Sequence, residues 1–142
     1  MEIRSPKNEE EWDAYYDMRY RILREPLGQP RGSERNDLDE IGVHLALYEN
    51  EVLMAIARLD QAESNVAQVR FVAVSDEARG KGYGRKIMEA CEVFSHERGD
   101  IKMILQAREK ALEFYKRMDY RLIEKTHLLF GQVQHYKMEK IY

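Results

Sequence analysis

Apolar residues recur at helical spacing near the start of the chain, at Trp12, Tyr15, Tyr16, Ile22 and Leu23. Asn8 is a good N-cap for that helix. Glu9, Glu10 and Glu11 follow where the helix dipole favours negative charge, with Glu11 at the capping-box position. Pro26 disfavours helical backbone at Glu25, so the pattern predicts that the helix ends there. The pattern then changes. Residues 26–39 are rich in turn formers and read as a long loop with room for a short helix. Val43 to Tyr48 and Val52 to Leu59 read as strands joined by Glu49-Asn50-Glu51. A third strand, Val66 to Val74, alternates with period two. This places Val66, Gln68, Arg70, Val72 and Val74 on one face and Ala67, Val69, Phe71 and Ala73 on the other. After a glycine-rich segment, Tyr83, Ile87, Ala90, Cys91 and Phe94 mark a second amphipathic helix, which Gly99 ends. Ile101 to Ala107 reads as a buried strand. Ala111, Phe114, Tyr115 and Met118 mark a short helix. Tyr120 to Phe130 and Val133 to Ile141 form a closing hairpin around Gly131. The order β-α-loop-β-β-β-α-β-α-β-β predicts a mixed sheet with helices on both faces, an α/β (α+β) fold.

Composition narrows the class without naming a function. The 142 residues are one domain, 1–142, large enough to bury roughly 70% of the unfolded surface without disulfides or metals. The single cysteine makes no internal disulfide and suits a reducing, cytoplasmic setting. The first residues lack the apolar core of a signal peptide, and the longest apolar run, Val52 to Ala57, is too short to span a bilayer. Lys and Arg (23) nearly balance Asp and Glu (26), for a net charge of −3, which gives no overall case for nucleic acid or a membrane surface. No cluster has metal-ligand spacing.

One segment carries chemistry. Arg79-Gly80-Lys81-Gly82-Tyr83-Gly84 lies between a strand and a helix. The first N–H groups of a helix lack intrahelical partners and form its positive dipole end. Glycines let an anion approach the backbone, and Arg79, Lys81, Arg85 and Lys86 add positive charge at the same point. The spacing is G-x-G-x-G. It fits neither the dinucleotide fingerprint nor the Walker A loop. The physics predicts a phosphate or pyrophosphate cradle; a basic surface turn is the alternative.

With its surroundings, the segment resembles the GNAT superfamily of acyl-CoA-dependent N-acetyltransferases. Val72-Ala73-Val74 ends the strand, Arg79 follows at the family's spacing, and the glycine turn opens the helix. Downstream, Ala111-Leu-Glu-Phe114-Tyr115-Lys-Arg117-Met-Asp-Tyr120 is similar to the family's second element. Met18-Arg19-Tyr-Arg-Ile-Leu23 and His135-x-x-Met138-x-Lys140 resemble the ElaA-like branch. The resemblance implies a mixed, mostly antiparallel sheet and acetyl-CoA as co-substrate, with no metal. It implies that Arg79, Gly80, Lys81, Gly82, Gly84 and Arg85 hold the pyrophosphate. Backbone groups near Val72 and Val74 would pair with pantetheine, and a Val72 N–H would face the acetyl oxygen.

Tyr115 matches the tyrosine that gives a proton or hydrogen bond to the departing sulfur; a packed core aromatic is the alternative. The glutamate base of histone-type members is replaced by Gln68, which takes no proton. His44 and His135 are the expected substitutes, unless they are structural histidines; His127 and His96 have weaker claims. Arg108 stands where the family often has an asparagine that contacts the cofactor, and Asp119 replaces a glycine. Arg19, a charge on an apolar helix stripe, either lines the acceptor site or pairs with a local carboxylate. Arg70 either holds an acidic group of the substrate or pairs with a glutamate across the sheet. Cys91 reads as a small core residue. The expected acceptor is a small-molecule or peptide amine. A homodimer is compatible with the family, and a non-catalytic acyl-CoA-binding regulatory module is the alternative function.

Overall fold

A computed structural model describes residues 1–142. Seven strands form one sheet in the order β1-β2-β3-β4-β5-β7-β6. They are β1 (Glu2–Arg4), β2 (Val43–Glu49), β3 (Val52–Glu63), β4 (Val66–Val74), β5 (Lys102–Arg108), β6 (Arg121–Leu129) and β7 (Val133–Ile141). Only β4 and β5 run parallel; every other neighbouring pair is antiparallel. Three α-helices cover the sheet: α1 (Glu9–Leu23), α2 (Tyr83–Glu97) and α3 (Leu112–Lys116). The mixed sheet with helices on both faces is the architecture expected from the sequence.

Alternation along each strand divides the core in two. Leu45, Leu47, Ala55, Ala57, Met103, Leu105 and Ala107 pack with Ile87, Met88 and Cys91 of α2 and Tyr115 of α3. The intervening Ala46, Tyr48 and Ile56 face the opposite way and pack with Tyr15 and Leu23 of α1. Burial of these side chains is the main stabilising contribution.

Asn8 caps α1 as expected, accepting the Glu11 N–H at 2.9 Å. Glu11 reaches one residue further back than a capping box requires. It accepts the Lys7 N–H at 2.8 Å and clamps Arg4 with both carboxylate oxygens. The helix stops at Leu23, two residues before the predicted end, because residues 25–27 tighten into a 3₁₀ turn at Pro26. The predicted loop holds a second 3₁₀ turn, Asp37–Glu40, closed by a reciprocal cap between Asn36 and Asp39. No helix is long and apolar enough to cross a membrane.

Two irregularities open the sheet at its centre. β4 and β5 pair only at Val66–Lys102, Ala67–Met103 and Gln68–Ile104 and then separate. On the other side of β4, Ile56 pairs with Ala73 and Arg58 with Arg70, so Phe71 and Val72 together oppose Ala57. This is a β-bulge, and Phe71 takes the left-handed conformation with φ 55°. The extra residue reverses the alternation. Ala67 and Val69 face α2 before the bulge and Val72 and Val74 after it, while Phe71 and Ala73 turn toward α1. The predicted common face of Arg70, Val72 and Val74 is therefore corrected: Arg70 shares the α1 face with Gln68.

Candidate active site

The gap beyond Gln68 is a slot of about 250 Å³ running between β4 and β5. Its α2-facing wall carries Val69, Val72, Leu105, Ala107, Ala111 and Tyr115. Its other wall, on the α1 face, carries Arg24, Gln68, Arg70, Phe71, Gln106, Arg108, His127 and His135. Because Met103, Leu105 and Ala107 point to α2, Gln106 and Arg108 point to α1. Arg108 accordingly donates to the carbonyl of Leu23, at the end of α1, at 2.9 Å.

The bulge gives the slot a polar backbone wall. Phe71 and Val72 have no ladder partner on either side, and β4 beyond Gln68 has none on the β5 side. That open edge can accept an added strand-like ligand.

At one end of the slot, the strand runs into the glycine turn and α2. Gly80 and Gly82 have φ of 77° and 81°, which L side chains rarely adopt. Gly82 is also the N-cap of α2, with no side chain closing the helix end. A Cβ on Gly84 would sit 3.4 Å from Phe114 and 3.5 Å from Val74, in ordinary contact. Arg79 and Arg85 make only exposed local ion pairs, with Asp76 at 3.0 Å and Glu89 at 3.4 Å. Such pairs are weak, so both cations can turn to an incoming anion. The first-turn N–H groups and this positive cluster stand together at one end of the slot.

Tyr115 is 8% exposed and lines the slot; its ring packs on Phe114 and Tyr120. Burial, reinforced by the neighbouring Cys91, raises its pKa well above the ordinary phenol value, so the hydroxyl is a proton donor throughout the neutral range.

His135 lies across the slot, opposite Arg108 on the β5–β7 ladder and stacked on His127 at 4.5 Å. Its Nδ1 is 3.0 Å from the Val133 carbonyl, so Nδ1 carries the proton and donates it. Nε2 is left as the acceptor. Burial lowers the His135 pKa, and the neighbouring His127, Arg108 and Arg24 lower it further against the raising effect of the Val133 carbonyl.

The other residues anticipated from the sequence lie elsewhere. His44 is not in the slot. Its Nε2 donates to the Asp39 carbonyl at 2.8 Å and its Nδ1 accepts from the Tyr15 hydroxyl at 2.8 Å, so neither nitrogen is free to move a substrate proton. Its pKa is lowered, chiefly by burial. His44 is thus a structural histidine. Arg19 is fully buried and takes the paired alternative, donating to Asp39 at 2.8 Å, to the Glu34 carbonyl at 3.2 Å and to the Tyr15 hydroxyl at 3.0 Å. Asp39 also receives Arg58 at 2.7 Å, and Arg58 makes a two-pronged pair with Asp60 at 2.8 Å on each side. This network ties residues 34–39 to Arg19 of α1 and Arg58 of β3. Arg58, Asp60 and Gly42 gave no sign of it in the sequence. A Cβ on Gly42 would lie 2.8 Å from Arg58 Cδ and 2.8 Å from the Asp60 carboxylate.

Cys91 is buried in the α2 core, as expected. Arg108, at the position where the family often has a cofactor-contacting asparagine, points to the α1 face. No group of three His, Cys, Asp or Glu residues is placed to hold a metal.

The profile of the Acetyltransferase (GNAT) family matches residues 8–120. An uncharacterised N-acetyltransferase of Bacillus subtilis, YjcF, is 27% identical over 135 residues, covering 94% of this chain and 95% of that protein. An aminoglycoside 6'-N-acetyltransferase solved with coenzyme A superposes with TM-score 0.83 at 15% identity, over 99% of this chain and 97% of that one. Escherichia coli ElaA superposes with TM-score 0.79 at 18% identity, over 98% of this chain and 97% of that one.

Proposed function

This chain belongs to the acetyltransferase (GNAT) family, and on that premise we propose how its residues divide the work of moving an acetyl group from acetyl-CoA to a primary amine. The reaction is direct attack by the amine, with Tyr115 as proton donor and His135 as proton acceptor. The observation that carries the reading is the slot itself: an unpaired strand edge with Tyr115 on one wall and His135 on the other.

Acetyl-CoA supplies an activated carbonyl and a thiolate leaving group. The residues fit it. The α2 N-terminus with Gly80, Gly82, Arg79, Lys81 and Arg85 suits the pyrophosphate. The open edge at Val72 and Val74 suits the amide-bearing pantetheine arm, with Gly84 and Val74 packed close beneath it. The N–H of Val72, a residue without a ladder partner, is the donor assigned to the oxygen on which negative charge develops. Tyr115 protonates or solvates the departing sulfur. His135, with Nδ1 tied to Val133, presents Nε2 to the attacking nitrogen. Gln68 is on the same wall but moves no proton. The aminoglycoside-acting relative shares only the fold at this identity, so its acceptor is not carried over.

The test is release of CoA thiol from acetyl-CoA across a panel of primary amines. Tyr115→Phe should lower kcat by about 10²-fold or more while leaving acetyl-CoA affinity nearly unchanged. His135 is depressed below its ordinary value, so wild-type kcat should lose activity only below about pH 6.5. His135→Gln should lower kcat and remove that acid limb. Absence of thiol release with every amine, or equal losses in kcat and cofactor affinity for Tyr115→Phe, would refute the assignment.

A further inference from the structure

The α1-facing wall of the slot holds Arg24, Arg70 and Arg108, and no Asp or Glu lines the slot anywhere. None of the three makes an ion pair within the chain. The carboxylates of this face are engaged by other cations: Asp39 by Arg19 and Arg58, Asp60 by Arg58, and Glu34 by the Gly32 N–H and Arg35. Three positive charges are left over.

Two of them have a partial structural explanation. Arg24 and Arg108 both donate to the Leu23 carbonyl, at 3.0 and 2.9 Å, and so cap the negative end of α1. Arg24 also donates from Nε to the Ser33 carbonyl at 3.1 Å. Arg70 has no such role. Its side chain makes no hydrogen bond, and its partner across the β3–β4 ladder is Arg58, a like charge where a glutamate would have neutralised it. Its guanidinium lies 5.2 Å from the centre of the Phe71 ring, which also faces Arg19, Arg24 and Arg58 at 4.3, 5.4 and 5.0 Å. The ring eases the crowding without cancelling the charge. Burial lowers the pKa of all three arginines, and neighbouring arginines add to this for Arg24 and Arg70. A group held at such cost, half-buried in a ligand slot with its donors unused, is fitted to a ligand that supplies the missing negative charge.

We infer that the acceptor is a small amine bearing an oxyanion, a carboxylate or a phosphate, and that Arg70, flanked by Arg24 and Arg108, binds that oxyanion. This rests on the acetyl-transfer reading and sharpens it to a substrate class. The planar guanidinium fork matches carboxylate and phosphate geometry. The slot of about 250 Å³ admits a molecule of amino-acid or amino-sugar-phosphate size beside the thioester. Anchoring the oxyanion on the Arg70 side leaves the amine free to reach His135 and the carbonyl.

The experiment compares amines matched except for charge: L-alanine with L-alaninamide, and glucosamine 6-phosphate with glucosamine, with spermidine as a cationic control. Thiol release should favour the anionic member of at least one pair by about 10- to 100-fold in kcat/KM. Whichever pair responds identifies carboxylate or phosphate. Arg70→Gln should abolish the preference with the KM for acetyl-CoA unchanged. Arg70→Lys, which keeps the charge and loses the fork, should restore part of it. Arg70→Gln should also melt at the same temperature as wild type or higher, an outcome opposite to that for a structural arginine.

A readout free of turnover accompanies these. Lactate or glucose 6-phosphate, which lack the amine, should raise the melting temperature of the wild type but not of Arg70→Gln, while lactamide and glucose do neither. If these anions protect through Arg70 and no amine releases thiol, acetyl transfer is refuted and the oxyanion site stands. If neutral or cationic amines react as well as the anionic ones, the oxyanion site is refuted and acetyl transfer stands; if neither anion protects, the oxyanion site is refuted and thiol release alone decides acetyl transfer.

Discussion

Replacing Asp39 by alanine should be among the most damaging single changes in this protein, although the residue lies outside the slot. Its carboxylate receives Arg19 at 2.8 Å, Arg58 at 2.7 Å and the Asn36 N–H at 2.9 Å. Arg58 keeps its pair with Asp60 and the Asn36 side chain after the change. Arg19 keeps only a backbone carbonyl and the Tyr15 hydroxyl, with its charge fully buried and unmatched. Removing one partner of a buried pair costs about 3–5 kcal/mol. The unfolding entropy of a chain of 142 residues is roughly 0.3 kcal/mol per kelvin. The expected drop in melting temperature, followed by circular dichroism, is thus about 10–17 °C. Adding Arg19→Met to the Asp39→Ala protein should recover part of the loss, since an apolar side chain replaces an orphaned charge. Burial pushes the Asp39 carboxyl up, but hydrogen bonds from Arg19, the Asn36 N–H and Arg58 outweigh it and hold the pKa below the ordinary carboxylate value. A depressed folded-state value means that the contribution is complete above the unfolded pKa of about 3.9 and is lost as pH falls through the folded one. Wild-type stability should decline below about pH 4, and the variant should decline less steeply there. A melting shift under about 3 °C, or an unchanged acid slope, would refute the reasoning.

Gly42→Ala should lower stability by about 1–3 kcal/mol, because the new methyl enters the space of the Arg58–Asp60 pair; a chemical denaturation midpoint equal to wild type would contradict this. Cys91 should resist a thiol-specific reagent in the folded protein and react only on unfolding, since burial holds its pKa up at about 12 and no solvent path reaches it; rapid labelling of native protein would count against that.

What could be read from the sequence was local in the chain. The glycine turn and its helix, the cap at Asn8 and the hairpins follow from spacing within a dozen residues and form where expected, whereas Tyr115 is singled out by the family resemblance. The bulge at Phe71 had no such mark. Period-two alternation is blind to an inserted residue, and Val-Arg-Phe-Val reads as an unbroken strand. That one residue is why Arg70 was assigned to the wrong face. The arginine wall was hidden for a different reason. Arg24, Arg70 and Arg108 come from a helix end and two strands, far apart in sequence; Arg70 alone reads as a candidate for an acidic group, and nothing in the chain marks the other two as its neighbours. His44 and His135 were equal candidates because a histidine's role depends on what its nitrogens touch. Here one ring has both occupied and the other only one.

The register reversal in β4 has an evolutionary consequence. A strand of uniform alternation would force neighbouring positions on one face to answer to a single ligand. With the insertion at Phe71, positions 68 and 70 answer to whatever molecule enters from the α1 side, and positions 72 and 74 to whatever enters from the other. On the proposed reading, mutations can therefore retune acceptor choice within three residues of the backbone assigned to the thioester, without touching it. A single-residue deletion at Phe71 would leave those side chains on the faces they hold and would erase only the break in the backbone between them.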